Sequence, residues 1–244
     1  MKIFIDPGHG GSSVGASYKG RLEQDDTLRL ALKIKELLLT QKGVEVRLSR
    51  EADTNPSISK RCSDANRWGA NYFLSIHRNA AAKADTATGN EIWVVRKANE
   101  KTQYKASVIL DSLCKADGLK NRGVKLGAPS YDNFGVNSGT AMASALLEIG
   151  FINNTKDNKV FDEKFDEIAL SVAKGILAAH SKEFVLPEKL TGDVDKDGRV
   201  TEKDALLALK MSVGMAKQDM SADMNSDKKI TPEDAAEILK KSAV

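Results

Sequence analysis

The chain has 244 residues, 41% of them hydrophobic and 29% charged, and 37 Lys and Arg against 34 Asp and Glu leave a net charge of +3. That surplus is too small to argue for nucleic-acid binding, and no apolar stretch is long enough to span a bilayer. Two cysteines, Cys62 and Cys114, are too few for a disulfide framework and read as unpaired buried thiols.

Residues 2 to 5 form an apolar strand that runs into Asp-Pro-Gly-His-Gly-Gly, a turn that presents His9 at the strand's end. Open α/β sheets keep their chemistry at such ends. Glu23 lies in a polar stretch before the amphipathic helix predicted for 27 to 39, where it can face the same edge. A strand at 44 to 49 alternates cleanly, as near a sheet edge, and a helix follows at 57 to 69. The run 72 to 76 reads as a buried central strand with His77-Arg-Asn79 at its C-terminal end. Glu91 opens a strand at 91 to 95, a helix is predicted for 100 to 116, and a second buried strand, 144 to 149, contains Glu148. A helix over 162 to 181 ends at His180, where a cation suits the helix dipole, and we assign that histidine no catalytic role. This alternation predicts an α/β fold, a mainly parallel twisted sheet with helices on both faces.

Two histidines and a carboxylate suit zinc, and three protein ligands leave the fourth position open, the catalytic rather than the structural arrangement. A histidine beside a strand is nonetheless more often a hydrogen-bonded residue than a ligand, so residue types alone leave both readings open. Glu148 poses a similar choice. A carboxylate inside an apolar strand is either held in a buried salt bridge or kept for proton transfer.

Several segments bear on that choice: Ile5-Asp-Pro-Gly-His-Gly-Gly, Glu23, the stretch 54 to 66 with Arg61 and Ala65-Asn66, Ser75-Ile-His-Arg-Asn79, Gly89-Asn-Glu91, Asn121-Arg-Gly-Val-Lys125 and Leu147-Glu-Ile-Gly-Phe-Ile-Asn153. In this order they resemble the zinc-dependent N-acetylmuramoyl-L-alanine amidases of the "amidase 3" family, over about residues 1 to 182. The resemblance implies that His9, Glu23 and His77 bind one zinc ion, and that Glu148 is the catalytic glutamate. It also implies that the substrate is peptidoglycan, cut between N-acetylmuramic acid and L-alanine. The family most often has a small residue after the second histidine, so Arg78 here predicts a more basic groove. Asn79, Glu91 and Arg122 are candidate substrate-binding residues: Glu91 could pair with a histidine's second nitrogen, Arg122 could grip a stem-peptide carboxylate, and Asn79 could orient substrate or satisfy its own loop. A zinc peptidase acting on another amide, or an inert wall-binding or scaffold protein, would carry the same four residues.

Charge balance changes after residue 187. Residues 1 to 187 hold 27 Lys and Arg against 22 Asp and Glu, net +5, and residues 188 to 244 hold 10 against 12, net −2. We therefore expect a catalytic domain at 1–183, a linker at 184–190 and a small all-α domain at 191–244. The last contains a repeat: Asp193, Asp195, Asp197, Arg199, Thr201 and Asp204 recur as Asp223, Asn225, Asp227, Lys229, Thr231 and Asp234. Side-chain oxygens at positions 1, 3, 5, 9 and 12, with the carbonyl of Arg199 or Lys229 at position 7, form a calcium-loop pattern. Thr201, Thr231 and Pro232 also suit helix starts, but capping leaves the alternating acids before them unexplained. Asp instead of Glu at position 12, together with the duplication, resembles a type I dockerin, which implies two calcium ions and a cohesin-like partner. A cell-wall component is the other candidate partner. Gly198 suits the sharp turn at position 6 of the first loop, whereas Lys228 there predicts a weaker second site. A module so small is expected to need calcium to stay folded.

No basic, apolar, small-residue leader precedes Met1. The expectation is either an endolysin type, cytoplasmic until lysis releases it, or a secreted autolysin whose leader has been removed. Both act on the cell wall.

Overall fold

The structure is a computed structural model that describes residues 1–129, 132–185, 191–196 and 199–242. It divides into two compact units, Met1–Phe184 and Val185–Val244.

The first unit contains β1 (Lys2–Pro7), β2 (Ser17–Tyr18), β3 (Arg21–Leu22), α1 (Glu23–Leu39), β4 (Glu45–Leu48), α2 (Ile58–Trp68), β5 (Tyr72–Asn79) and β6 (Asn90–Val94). It continues with α3 (Glu100–Asp117), β7 (Asn121–Leu126), α4 (Gly135–Ser138), β8 (Ala143–Phe151), α5 (Thr155–Glu163) and α6 (Phe165–Ala178). Six strands form one sheet in the order β4-β1-β5-β8-β6-β7. Neighbours run parallel except β6 and β8. The mainly parallel α/β sheet is therefore as expected, with β5 and β8 at its centre.

Strand alternation sorts the side chains onto two faces. Ile3, Ile5, Leu74, Ile76, Leu147 and Ile149 join Leu30, Ile34, Ile109 and Val172 from the helices in the larger core cluster. Phe4, Phe73 and Leu146 point the other way, toward Ala65 of α2. His77 and Glu148 have the parity of Phe73 and Leu146, so they lie on the face that α2 covers, beyond the apolar cluster. A face covered only by the short helices α2 and α4 keeps room for a groove.

Several elements differ from expectation. β2, β3, β7 and α4 were not foreseen. The predicted helix 162–181 is two helices, broken at Lys164, whose φ of −113° and ψ of 24° are not helical, and α5 begins earlier behind an Asn154 cap. Lys164 Nζ donates to the carbonyls of Ala116 and Asp117 at the end of α3, which holds the break. His180 lies past α6. Its Nδ1 donates to the Ile176 carbonyl and its ring meets Tyr72 edge-on at 5.3 Å. Burial lowers its pKa, so it is a packed imidazole rather than the dipole-favoured cation predicted. Cys62 and Cys114 are both free, as expected.

The second unit contains α7 (Glu202–Ser212), a 3₁₀ turn at Met220–Ala222 and α8 (Pro232–Ser242). Its small core joins Val194, Ala208, Met211, Ile230 and Ile238. Among the described residues, no helix is long and apolar enough to cross a membrane.

Candidate metal centre and catalytic groove

Four segments converge at the C-terminal ends of the central strands. β5 carries His77, which is in register with Glu148 of β8. The turn after β1 carries His9, and Glu23 is the first residue of α1, earlier than the predicted helix start. Ligand atoms of His9, Glu23 and His77 lie within 4.8 Å of one another.

His9 has a φ of 61°, a left-handed conformation that is uncommon for a residue with a Cβ. Two buried arginines hold it there. Arg61 donates to the carbonyls of Pro7 at 2.7 Å and His9 at 2.8 Å, and Arg50 donates to those of Pro7 at 3.1 Å and Gly8 at 2.9 Å. Asp6, itself buried, receives Arg61 at 2.6 Å together with the hydroxyls of Ser49 and Ser75. Gly8 is required because a Cβ there would lie 2.4 Å from the His77 ring. Asp6, Arg50 and the glycine were not predicted as site residues. The signal available in the sequence was a charged residue at the end of each of two apolar strands.

Glu23 is buried, yet both carboxylate oxygens are engaged. Oε1 lies 2.9 Å from His77 Nδ1 and accepts the Arg78 amide at 3.0 Å, while Oε2 lies 3.2 Å from His9 Nε2 and accepts the Ala16 amide at 2.7 Å. Burial opposes its charge, but bonds from both histidines hold the carboxyl well below its ordinary range. Two imidazoles and one carboxylate turned on a common point form a donor set that fits a zinc ion. Glu148 stands beside them with its Oε2 buried and without a partner. Burial, and then the charges of Glu23 and Glu91, push its carboxyl well above the ordinary range, with Arg78 opposing. A half-buried acid whose inner oxygen has no bond among the described residues, set beside a metal-type donor set, fits a proton carrier better than a salt bridge.

These residues border a cavity of about 650 Å³. His9, Glu23, His77, Asn79 and Glu148 line one part, and Pro56, Ile58, Phe134, Val136 and Leu146 give it an apolar wall. Glu91 and Arg122 do not line it. Glu91 accepts from Asn79 Nδ2 at 2.9 Å, Trp93 Nε1 at 3.1 Å and Arg122 Nε at 2.7 Å, so its partners are these and not a histidine. Arg122 is thereby engaged by a carboxylate of the chain itself. Asn79 also accepts the Ala80 amide, which satisfies its own loop. Arg78 corrects the expectation of a basic groove: its guanidinium is buried, bonded to Asp26 and to Asn158, and lies 4.2 Å from the centre of the Phe161 ring.

The second unit brings Asp193, Asp195 and Asp204 together, with ligand oxygens within 4.8 Å. Asp197 and Gly198 lie outside the described residues. Asp204 accepts from the amides of Val194, Asp195 and Thr201 and from the Thr201 hydroxyl, so it closes the loop as well as offering charge. Asp234 repeats this closure with Met224 and Thr231. In the second loop Asp223 Oδ1 is buried without a partner, Asn225 and Asp227 bond one another, and Lys228 takes a φ of 67°. Position 6 is therefore left-handed with a side chain on it, in keeping with a weaker second site.

Residues 3–178 match the family model described as N-acetylmuramoyl-L-alanine amidase, and residues 191–241 match that of the dockerin type I domain. The N-acetylmuramoyl-L-alanine amidase CwlM of Bacillus licheniformis is 39% identical over 176 residues, covering 72% of this chain and 65% of the relative. A sporulation-specific N-acetylmuramoyl-L-alanine amidase of Bacillus subtilis is 37% identical over 177 residues, with 72% and 65% covered. The chain thus spans a little under two thirds of the length of these relatives. Among solved structures, an N-acetylmuramoyl-L-alanine amidase from Clostridium difficile 630 superposes with a TM-score of 0.68 at 33% identity, covering 74% of this chain and 96% of that one.

Proposed function

The chain belongs to the N-acetylmuramoyl-L-alanine amidase family, and from that premise we propose that it hydrolyses the amide between N-acetylmuramic acid and L-alanine in peptidoglycan. His9, Glu23 and His77 hold one zinc ion, and Glu148 moves the proton. The observation that carries this reading is the meeting of three metal-type ligands with a carboxyl whose buried oxygen has no bond among the described residues, at one end of an open groove.

When bound, zinc supplies a Lewis acid that brings the pKa of water to about 7 and polarises the scissile carbonyl. Glu148 takes a proton from the attacking water as its oxygen bonds to the carbonyl carbon. The same carboxyl then gives that proton to the alanine nitrogen as the C–N bond breaks, acting as base and then as acid. Glu148 must be ionised to take the first proton, and the charge of a bound cation would favour that form. Arg61 and Arg50 fix the turn that aims His9, and Glu23 receives the Arg78 amide so that its carboxylate cannot rotate away. The apolar wall of Ile58 and Phe134 excludes water from one side of the bond.

The C-terminal unit binds calcium, more tightly in its first loop, and attaches the enzyme to a cohesin-like protein or a cell-wall component. Its calcium is structural. The support is the convergence of Asp193, Asp195 and Asp204 and the unpartnered oxygen of Asp223. The enzyme acts on the cell wall.

Digestion of purified peptidoglycan by the intact protein and by Glu148→Gln tests the reaction. New N-terminal alanine, scored by mass spectrometry, is expected with the first protein and absent with the second, and a zinc-selective chelator should abolish it. Release of a different amine would point to a zinc peptidase. No release from any wall type would reject the enzyme reading.

A further inference from the structure

The outer edge of the sheet holds a second cavity, of about 460 Å³, that shares no lining residue with the groove. Strand register places it. Phe4 of β1 pairs with Arg47 of β4, the end strand, and both side chains fall on the face that α2 covers. Phe4 and Trp68 give the cavity two aromatic walls, while Lys2, Arg47 and Arg67 bring three positive charges to it. Asp64 is the one carboxylate in its wall, and it already accepts from Lys60 and Arg67. Glu45, which pairs with Lys2 across the strands, is exposed and not part of the wall.

Arg47 is the residue that needs an explanation. Its guanidinium lies 4.9 Å from the centre of the Trp68 ring and, among the described residues, donates no hydrogen bond to the protein. Lys2 lies over the same ring at 5.5 Å and gives one bond, to the Trp68 carbonyl. A guanidinium held against an indole keeps its N–H fork pre-organised, so little further entropy is lost when an oxyanion arrives. A planar carboxylate would be satisfied by that fork alone. A tetrahedral phosphate presents oxygens in several directions and matches a fork with two flanking cations.

We propose that this cavity is an accessory binding site for a phosphodiester group of an anionic polymer, with Arg47 as its fork and Lys2 and Arg67 as flanking charges. Helix α2 links the two places. Its first turn, with Ile58, borders the groove, and Trp68 ends it about 15 Å further on at the usual helical rise. A long polymer held at the far end keeps the groove near its surroundings without occupying it. Such tethering adds effective concentration and makes no demand on the reaction itself.

Binding of the 244-residue chain to poly(glycerol phosphate) at two salt concentrations tests this, with poly-glutamate of similar length as the second arm. Wild type is expected to bind the phosphate polymer, and Arg47→Ala to bind it about tenfold more weakly with a shallower salt dependence, by about one ion in the slope. Poly-glutamate should bind less well than the phosphate polymer. Equal binding by wild type and Arg47→Ala would overturn the proposal, as would equal binding of the two polymers. Arg47→Ala should still cleave a soluble muropeptide at the wild-type rate, whereas Glu148→Gln should lose cleavage and keep polymer binding. Failure of this site is thus separable from failure of the amidase reading.

Discussion

The buried guanidinium of Arg78 donates to Asp26, and this pair joins the strand that carries His77 to the helix that carries Glu23. Asp26 is one turn along α1 from Glu23, and Arg78 follows His77 directly, so the pair fixes the separation of Glu23 and His77 from behind. Asn158 and Phe161 of α5 complete the enclosure. Arg78→Met leaves Asp26 with Arg21 as its remaining close partner. We expect a loss of about 3 kcal/mol or more in stability and a fall of about 10- to 100-fold in zinc affinity. Arg78→Met with Asp26→Leu should recover much of the stability, since no buried charge is left unpaired, without recovering the affinity. Thermal melts and competition against a zinc chelator separate the two effects. Equal recovery of both would mean that the pair serves the fold alone.

Glu148 should cost the metal-free protein stability. Its folded-state pKa lies well above the ordinary value of 4.5 because burial disfavours the charge. A raised carboxyl pKa means that the folded state holds the proton more tightly than the unfolded chain does. Its relative stabilisation is therefore complete below about pH 4.5 and is lost as pH rises through the folded value. Glu148→Gln removes this dependence. In chelator, the variant is expected to melt higher than wild type at pH 7 to 8, by several degrees, at about 2–4 °C per kcal/mol for a domain of this size. At pH 4 the two should melt together. A variant that melts lower at neutral pH would show that Glu148 has a stabilising partner.

Gly8 separates steric need from backbone freedom. Its own φ is not positive, so alanine is conformationally acceptable there, but the new Cβ would sit 2.4 Å from His77 Cε1. Gly8→Ala should therefore displace the imidazole and abolish high-affinity zinc binding while the sheet stays folded. Far-ultraviolet circular dichroism near that of wild type, with zinc stoichiometry falling from one toward zero, is the expected pair of results. Retained stoichiometry would show that the turn can shift as a unit.

The central strands were legible because Phe73, Leu74 and Ile76, and Ala145 to Leu147, are apolar on both faces, and His77 and Glu148 interrupt those runs visibly. Strand ends were legible as sites for the same reason. What stayed hidden was partner choice. Nothing in the local pattern says that Arg78 turns inward to Asp26 and Asn158, because an arginine after a strand end has both a solvent path and a buried one, and tertiary packing on Phe161 decides. Glu91 was misread toward a histidine because two of its three partners, Asn79 of β5 and Arg122 of β7, come from other strands, at distances in sequence that no periodicity encodes. The break at Lys164 was hidden by continuous helix-forming residues, and only its bonds to the end of α3 account for it.

Lys228 makes the second loop of the C-terminal unit a place where one substitution should improve calcium binding. Position 4 of each loop is left-handed, at Lys196 with φ 64° and Ser226 with φ 63°, and Lys228 at position 6 repeats that conformation at φ 67°. A side chain in this region costs about 1 kcal/mol or more, and glycine gives back part of that gain through its greater freedom when unfolded. Lys228→Gly also removes a positive charge from a loop that has to gather a cation. Together these changes predict a second-site calcium affinity about three- to tenfold higher, read by calorimetric titration, with the first site unchanged. The amide of residue 228 donates to Asp223 Oδ2 at 2.9 Å, a bond that glycine keeps, so loop closure should survive. Chelation of calcium should lower the melting temperature of the C-terminal unit in both proteins, and that temperature should rise in the variant as calcium is restored. If Lys228→Gly leaves the second site as weak as before, the cause lies in Asn225, whose neutral amide stands where the first loop has Asp195.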